Sequence, residues 1–320
     1  MENEQNKNQN NENKRFYDFI IFTYMGDRFT LFPCVFNILK TFGDEIGAIY
    51  ISDDGFAPMD EKTIEAIKKV DTRIVYDQSG WKRNGNLIGT AHSIGYMTVC
   101  KKLMDEGVFK SSVIVKVDPD AAILKKDWLD RFYDSNYALV GSFKEMEHYP
   151  MGNCYAFKSC YVSEVLNDMC RFKPFFNCFE DYELAVRVAR AAYQRGIKTE
   201  CMRYMSGPQD GFILQPPEAK IWPEELLKKC RVFCNGFGIR KENKQLQGDL
   251  QDYLWRMRNG EDVKDRESKL PIFRPASNGQ APTDPTSPSK LPTYQKTPIT
   301  VNPLTGELIN KDTAKSDEKQ

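Results

Sequence analysis

Four continuous apolar runs, spaced by stretches of helix length, constrain this fold more than any other feature of the chain. They are Tyr17-Asp18-Phe19-Ile20-Ile21-Phe22-Thr23-Tyr24, Gly47-Ala48-Ile49-Tyr50-Ile51-Ser52, Arg73-Ile74-Val75-Tyr76 and Ser112-Val113-Ile114-Val115-Lys116-Val117. Hydrophobicity is unbroken in them rather than alternating, the pattern of strands covered on both faces. Helical stretches fall between them, at 29–41, at 59–70 with Ile64, Ile67 and Val70 in phase, and in a segment ending near Gly107. This order predicts an α/β fold, a mainly parallel sheet with helices on both faces. Ligands of such sheets bind outside the carboxyl ends of the strands. Thr23 and Tyr24, then Asp53 and Asp54, then Asp118 and Asp120 follow the first, second and fourth runs. One crevice would collect them all.

Further along, the pattern predicts a helix at 126–133, a strand at 137–143, a short strand at 152–157 and a helix at 161–170. A Phe-rich stretch with Phe175, Phe176 and Phe179 opens onto Glu180-Asp181-Tyr182-Glu183-Leu184 and a helix to Arg195, closed by Gly196. Helices are also expected at 222–234 and 244–258. The expected organisation is a polar, disordered segment at 1–14 and a folded domain at 15–262, whose halves divide at 120/121. A Pro/Ser/Thr/Lys-rich tail at 263–320 is expected to be disordered.

Charge is balanced, 45 basic against 45 acidic residues, so no global attraction to nucleic acid or anionic membrane is built in. The nine cysteines are scattered without a C-x-x-C pair, which speaks against a zinc ribbon and for buried thiols in a reducing compartment. The first residues lack the apolar core of a signal peptide, and no stretch reaches the length of a membrane span. A soluble, cytoplasmic protein is expected.

Asp118-Pro119-Asp120 delivers two carboxylates to the end of the fourth run. There they can share a hard divalent cation with a diphosphate, or simply form a solvated turn around Pro119. Asp53-Asp54-Gly55 reads equally as a turn or as an acceptor for a nucleobase or ribose. In Lys82-Arg83-Asn84-Gly85 the Arg83 guanidinium suits a diphosphate, whereas Lys82 reads as solvated loop. Glu180 and Asp181 sit where acids complement a helix N-terminus. Asp181 is equally placed to act as a general base, desolvated by the neighbouring phenylalanines.

In this order the motifs resemble those of GT-A fold glycosyltransferases, nearest the family-two type of inverting enzymes, over roughly residues 15–196. Ser52-Asp53-Asp54-Gly55 is similar to that family's Asp-Asp-Gly-Ser turn, and Arg83-Asn84-Gly85 through Ala91-His92-Ser93-Ile94-Gly95 to its Gly-containing loop followed by Ala-x-Asn-x-Gly. Asp118-Pro119-Asp120 resembles its Asp-x-Asp, and Glu180-Asp181-Tyr182-Glu183-Leu184 its Glu-Asp-x-x-Leu. The departures are Phe56 in place of Ser, His92-Ser93 in place of Arg-Asn, no histidine after His148 and no Gln-x-x-Arg-Trp motif. The resemblance implies a metal-dependent transferase that moves a sugar from a nucleoside-diphosphate sugar, a UDP-sugar first, to an acceptor hydroxyl with inversion. Asp118 and Asp120 would hold Mn²⁺ or Mg²⁺. Thr23, Tyr24, Asp53 or Asp54 and Arg83 would contact the donor. Asp181 would be the base, with Glu180 as its alternative. The acceptor stays open among a glycan, a protein and a modified nucleic-acid base, and the oligomeric state is not indicated. Two rivals are a nucleotidyltransferase, for which Met25-Gly26-Asp27-Arg28 is a faint loop signal, and a non-catalytic carbohydrate- or protein-binding module.

Overall fold

The structure is a computed structural model. It describes residues 14–55, 57–78, 90–141, 152–172, 180–197, 202–203, 212–214, 231–234, 255–256, 258–261, 300–301 and 308–309, with backbone alone at 90–92, 202–203, 212–214, 234, 300–301 and 308–309. The predicted strands form as β1 (Tyr17–Thr23), β2 (Ile46–Asp53), β3 (Ile74–Asp77) and β4 (Val113–Val117). Short elements β5 (Ala121–Ile123), β6 (Leu139–Gly141), β7 (Cys154–Lys158) and β8 (Met202–Arg203) follow, then β9 (Phe212–Leu214) and β10 (Val232–Cys234). The helices are α1 (Leu31–Phe42), α2 (Glu61–Lys68), α3 (Thr90–Asp105), α4 (Asp127–Tyr133), α5 (Val162–Arg171) and α6 (Glu180–Gln194).

Among the described residues seven strands make one sheet in the order β3-β2-β1-β4-β7-β6-β8. β1 runs parallel to both β2 and β4, and β2 parallel to β3. Thr23 lies opposite Asp53, and Ile21 opposite Val117, so the carboxyl ends of the three strands reach one edge. β7 enters antiparallel between β4 and β6. The direction of the chain therefore reverses beside the strand that carries the Asp-x-Asp.

Helices cover both faces, as the unbroken apolar runs require. On one face Phe19, Ile21, Val115 and Val117 pack with Cys34, Val35 and Ile38 of α1, Ile64 and Ile67 of α2 and Trp128 and Phe132 of α4. On the other, Ile20, Phe22 and Ile114 pack with Tyr96 and Met97 of α3, Val162 and Val165 of α5 and Leu184 and Val188 of α6. At the opposite end of the sheet Asp18 is buried, its carboxylate accepting bonds from the Lys110 and Ser111 N–H groups at 2.8 and 2.7 Å. Position 47 must be glycine there, since a Cβ would lie 2.3 Å from Asp18 Oδ1.

A smaller sheet, β5-β10-β9, begins directly after Asp120. It corrects the end of the helix expected over 222–234, because Val232–Cys234 pairs with β5 and β9 instead; 222–230 and most of the helix expected at 244–258 lie outside the described residues. The cause is tertiary: Val232 and Phe233 are fully buried and, as β-branched and aromatic residues, suit a pleated sheet. A last helical piece fastens onto α1 and β5. Trp255 stacks on Phe36 at 5.2 Å, and Arg258 donates to Asn37 Oδ1 at 2.8 Å, Thr41 Oγ1 at 2.8 Å and the Leu124 carbonyl at 2.9 Å. Burial without a carboxylate in this set lowers the pKa of Arg258 to about 10.

The chain divides into two units, Met1–Pro275 and Ala276–Gln320. In the second, Thr300–Val301 pairs antiparallel with Leu308–Ile309. No described helix is long and apolar enough to cross a membrane.

Candidate functional site

The site is built at the carboxyl end of β4. The β4–β7 register sets Val117 opposite Cys154, and the ladder continues one step further, Asp118 N–H donating to the Asn153 carbonyl at 2.7 Å. This antiparallel pairing brings Gly152 and Asn153 alongside Asp118. Asp118 and Asp120 are both buried, at 8% and 1% exposure. Beneath them Cys34 of α1 donates its thiol to the Asp118 carbonyl at 3.6 Å. Burial pushes the Cys34 pKa well above its usual range, and the charges of Asp120, Asp118 and Asp27 push the same way. Asp27, buried just after β1, thus adds a third acid to the neighbourhood.

Lys116 is the residue that sequence reasoning missed. It reads as one letter in an apolar strand, yet its side chain is only 3% exposed and its Nζ lies 2.5 Å from Asp118 Oδ1. The same ammonium donates to the Gly152 carbonyl and stands 3.8 Å from Glu180 Oε1. The usable signal was a charged residue inside a run otherwise buried on both faces, two positions before an aspartate.

Helix α6 supplies the remaining acids. Its apolar residues Leu184, Ala185, Val188 and Ala192 pack into the second core, and Arg187 ties it to α5 through Asp168 at 2.6 Å. With the helix so seated, Glu180 and Asp181 meet the end of β4. A Cβ on Gly152 would come within 3.0 Å of Asp181 Oδ2 and 3.2 Å of Glu180 Oε1, so the glycine leaves room for both carboxylates. Asp181 is 8% exposed and accepts one bond from the Tyr182 N–H at 2.8 Å. Burial raises its pKa from 3.8 to about 7; the neighbouring Glu180 adds to the rise, and the Tyr182 bond and Lys116 oppose it. Buried Tyr155, beneath the ammonium, has its hydroxyl held well above the usual phenol range by burial and by the charges of Glu180 and Asp181.

The strand ends on the other side hold Thr23, Tyr24, Asp53 and Asp54. Thr23 is 1% exposed, and its hydroxyl finds no hydrogen-bond partner among the described residues. Its carbonyl accepts from Asp54 N–H at 2.9 Å, which joins the first two strand ends. Asp53 is engaged in its own turn, Oδ2 accepting from Met59 N–H at 2.9 Å and from the Tyr76 hydroxyl at 2.8 Å. Burial still raises its pKa. Tyr24 is half-buried and packs so close to Gly26 that a Cβ there would lie 2.4 Å from the ring. Arg83, with Lys82, Phe56, Phe175, Phe176 and Phe179, lies outside the described residues, as does the side chain of His92.

No protein-family model matches the chain, and no curated protein matches its sequence. Solved structures align with it at low identity. The bifunctional glycosyltransferase WbbM aligns over 80% of this chain and 52% of its own, with 7% identity and a TM-score of 0.44. The chain thus spans about half the length of that protein. The galactosyltransferase LgtC, in complex with donor and acceptor sugar analogues, aligns over 79% of this chain and 99% of its own, with 9% identity and a TM-score of 0.44. The apo form of the glycosyltransferase GlyE of Streptococcus pneumoniae TIGR4 aligns over 83% of this chain and 66% of its own, with 8% identity and a TM-score of 0.45. Scores this low leave the fold resting on the chain's own strand order.

A divalent cation fits the site only with help from a ligand. Among the described residues no group of three or more His, Cys, Asp and Glu side chains gathers around one point. Asp118 and Asp120 alone would offer carboxylates, and one Asp118 oxygen is already bonded to Lys116. Two carboxylates completed by phosphate oxygens and water is a normal arrangement for Mg²⁺, which seldom takes an all-protein cage.

Proposed function

We propose that this chain is a glycosyltransferase that uses a nucleoside-diphosphate sugar and activates the acceptor hydroxyl with Asp181. The observation that carries this reading is the meeting of Asp118 with the Glu180–Asp181 helix start around Lys116, at the carboxyl edge of the parallel strands. A donor diphosphate near Asp118 and an acceptor near Asp181 would then be neighbours.

The roles divide by environment. Asp118 and Asp120 would hold Mn²⁺ or Mg²⁺ against the diphosphate. Such an ion, when bound, supplies charge neutralisation for the departing nucleoside diphosphate. Thr23, with its buried hydroxyl unpartnered among the described residues, supports a donor contact at the end of β1. Asp53 or Asp54 would contact the nucleoside; Oδ2 of Asp53 already serves Met59 and Tyr76. Asp181 has the burial and the raised pKa of about 7 that a general base near neutral pH needs. It would accept the acceptor's proton as the hydroxyl oxygen bonds to the anomeric carbon and the diphosphate leaves, a single displacement with inversion. Arg83 as a phosphate contact, a UDP-sugar as donor and a cytoplasmic location complete the proposal.

Thermal shifts against UDP-, GDP-, CDP- and dTDP-sugars, with and without Mn²⁺, test the donor site. One nucleotide family should stabilise the chain in the presence of metal. Asp120→Ala should weaken that binding at least about tenfold, as expected for losing one charge-assisted contact. Stabilisation without metal, retained in Asp120→Ala, would remove the metal role. Gly152→Ala gives an independent check on the acceptor side. Displacing the two carboxylates by a fraction of an ångström should lower transfer by roughly 10- to 100-fold. The donor-induced thermal shift should stay as in the wild type; an unchanged transfer rate would separate the acids from the chemistry.

A further inference from the structure

We infer that Lys116 is a positioning residue that ties the donor-side Asp118 to the acceptor-side Glu180 and so fixes the separation of the two ends of the site. The inference rests on the glycosyltransferase reading for the roles of the acids, but the tie itself stands on geometry. Lys116 lies on the face of β4 that also carries Ile114, opposite Tyr155 in register, where the chain would otherwise continue its apolar core. A lysine buried here is costly unless its charge is compensated. Its partners come from three elements: Asp118 Oδ1 at 2.5 Å beyond β4, the Gly152 carbonyl before β7, and Glu180 Oε1 at 3.8 Å on the first residue of α6. One ammonium thereby spans the strand, the turn and the helix.

The consequence is one of placement. Asp118 and Glu180 are both drawn to the one ammonium, whose charge also acts on Asp181. The ammonium also keeps the helix start at a set distance from the Asp-x-Asp, so the separation of donor and acceptor ends depends on it.

A thermodynamic cycle on the full chain tests this without any substrate. Lys116→Met should lower the melting temperature by on the order of 10 °C, because Asp118 and Glu180 lose their shared cation. Adding Glu180→Gln to that variant should recover a clear part of the loss, whereas Glu180→Gln in the wild-type background should not stabilise. Strict additivity of the two changes would overturn the inference. Transfer assays add a readout that mere packing would not move: Lys116→Met should lower kcat by ~10²-fold with donor KM changed far less, and the double variant should regain part of kcat. A fall in donor affinity with kcat intact would equally overturn it. If the wild type turns over no nucleotide sugar, the glycosyltransferase reading falls, and the melting cycle still decides whether Lys116 joins the two acids.

Discussion

Asp181→Asn should lower sugar transfer by about 10²- to 10⁴-fold, the usual contribution of a positioned proton acceptor, while the donor-induced thermal shift is preserved. The substitution keeps the size of the side chain and its hydrogen bond to the Tyr182 N–H, and removes only the ability to take a proton. In the wild type the rate should rise as pH approaches about 7 and level off above it, since the base must be ionised to act. Glu180→Gln should keep that acid limb. Should Asp181→Asn retain most of the activity and Glu180→Gln lose it, the base is Glu180. Should both weaken donor binding equally, the two acids belong to the donor site.

The same variant should be more stable than the wild type in mildly alkaline solution. Burial lifts the Asp181 pKa from an ordinary 3.8 to about 7, so the folded state holds this proton more tightly than the unfolded chain. Stability from this group is complete below pH 4 and is lost as pH rises to about 7, where the buried carboxylate must carry its charge. At 1.36 kcal/mol per pKa unit the loss is on the order of 4 kcal/mol, reduced in practice by coupling to Glu180 and Lys116. Asp181→Asn removes this dependence. Melting curves at pH 5 and pH 8 should show a gap that opens in favour of the variant at the higher pH, by up to about 10 °C. Parallel curves would mean the carboxylate is solvated in the folded state. A variant that gains stability as it loses turnover carries the mark of a functional rather than a structural acid.

The parallel half of the fold was readable because its physics is local. A short, largely apolar run such as 17–24, rich in aromatic and β-branched residues, reads as a strand buried on both sides, and turn residues such as Asp53-Asp54-Gly55 mark its neighbour's end. The edge where Asp118 and Asp120 collect follows from that order alone. What could not be read was the pairing of distant segments. The run at 152–157 was legible as a strand, but not that it lies antiparallel to β4, and that pairing is what sets Gly152 and Lys116 beside the acids. That Tyr76, 23 positions away, binds Asp53 was equally out of reach. Residues 232–234 read as the end of a helix at 222–234, whereas burial against β5 decided the outcome. Lys116 escaped notice because a composition scan averages one charge into an apolar strand.

The strand order carries a consequence for how the chain folds. β4 sits in the interior of the sheet, bonded on one side to β1, nearly a hundred residues earlier, and on the other to β7, about forty residues later. The Asp-x-Asp is thus not the end of a self-sufficient donor half. A nascent chain that has reached residue 120 exposes β4 as an unpaired, strongly apolar edge, the kind of surface that invites pairing between molecules. Only when β7 has been made and docked is that edge closed, and the same event brings the Gly152 carbonyl to Lys116. The step that protects the sheet from aggregation is thus the one that begins the site, which α6 completes when it supplies Glu180 and Asp181.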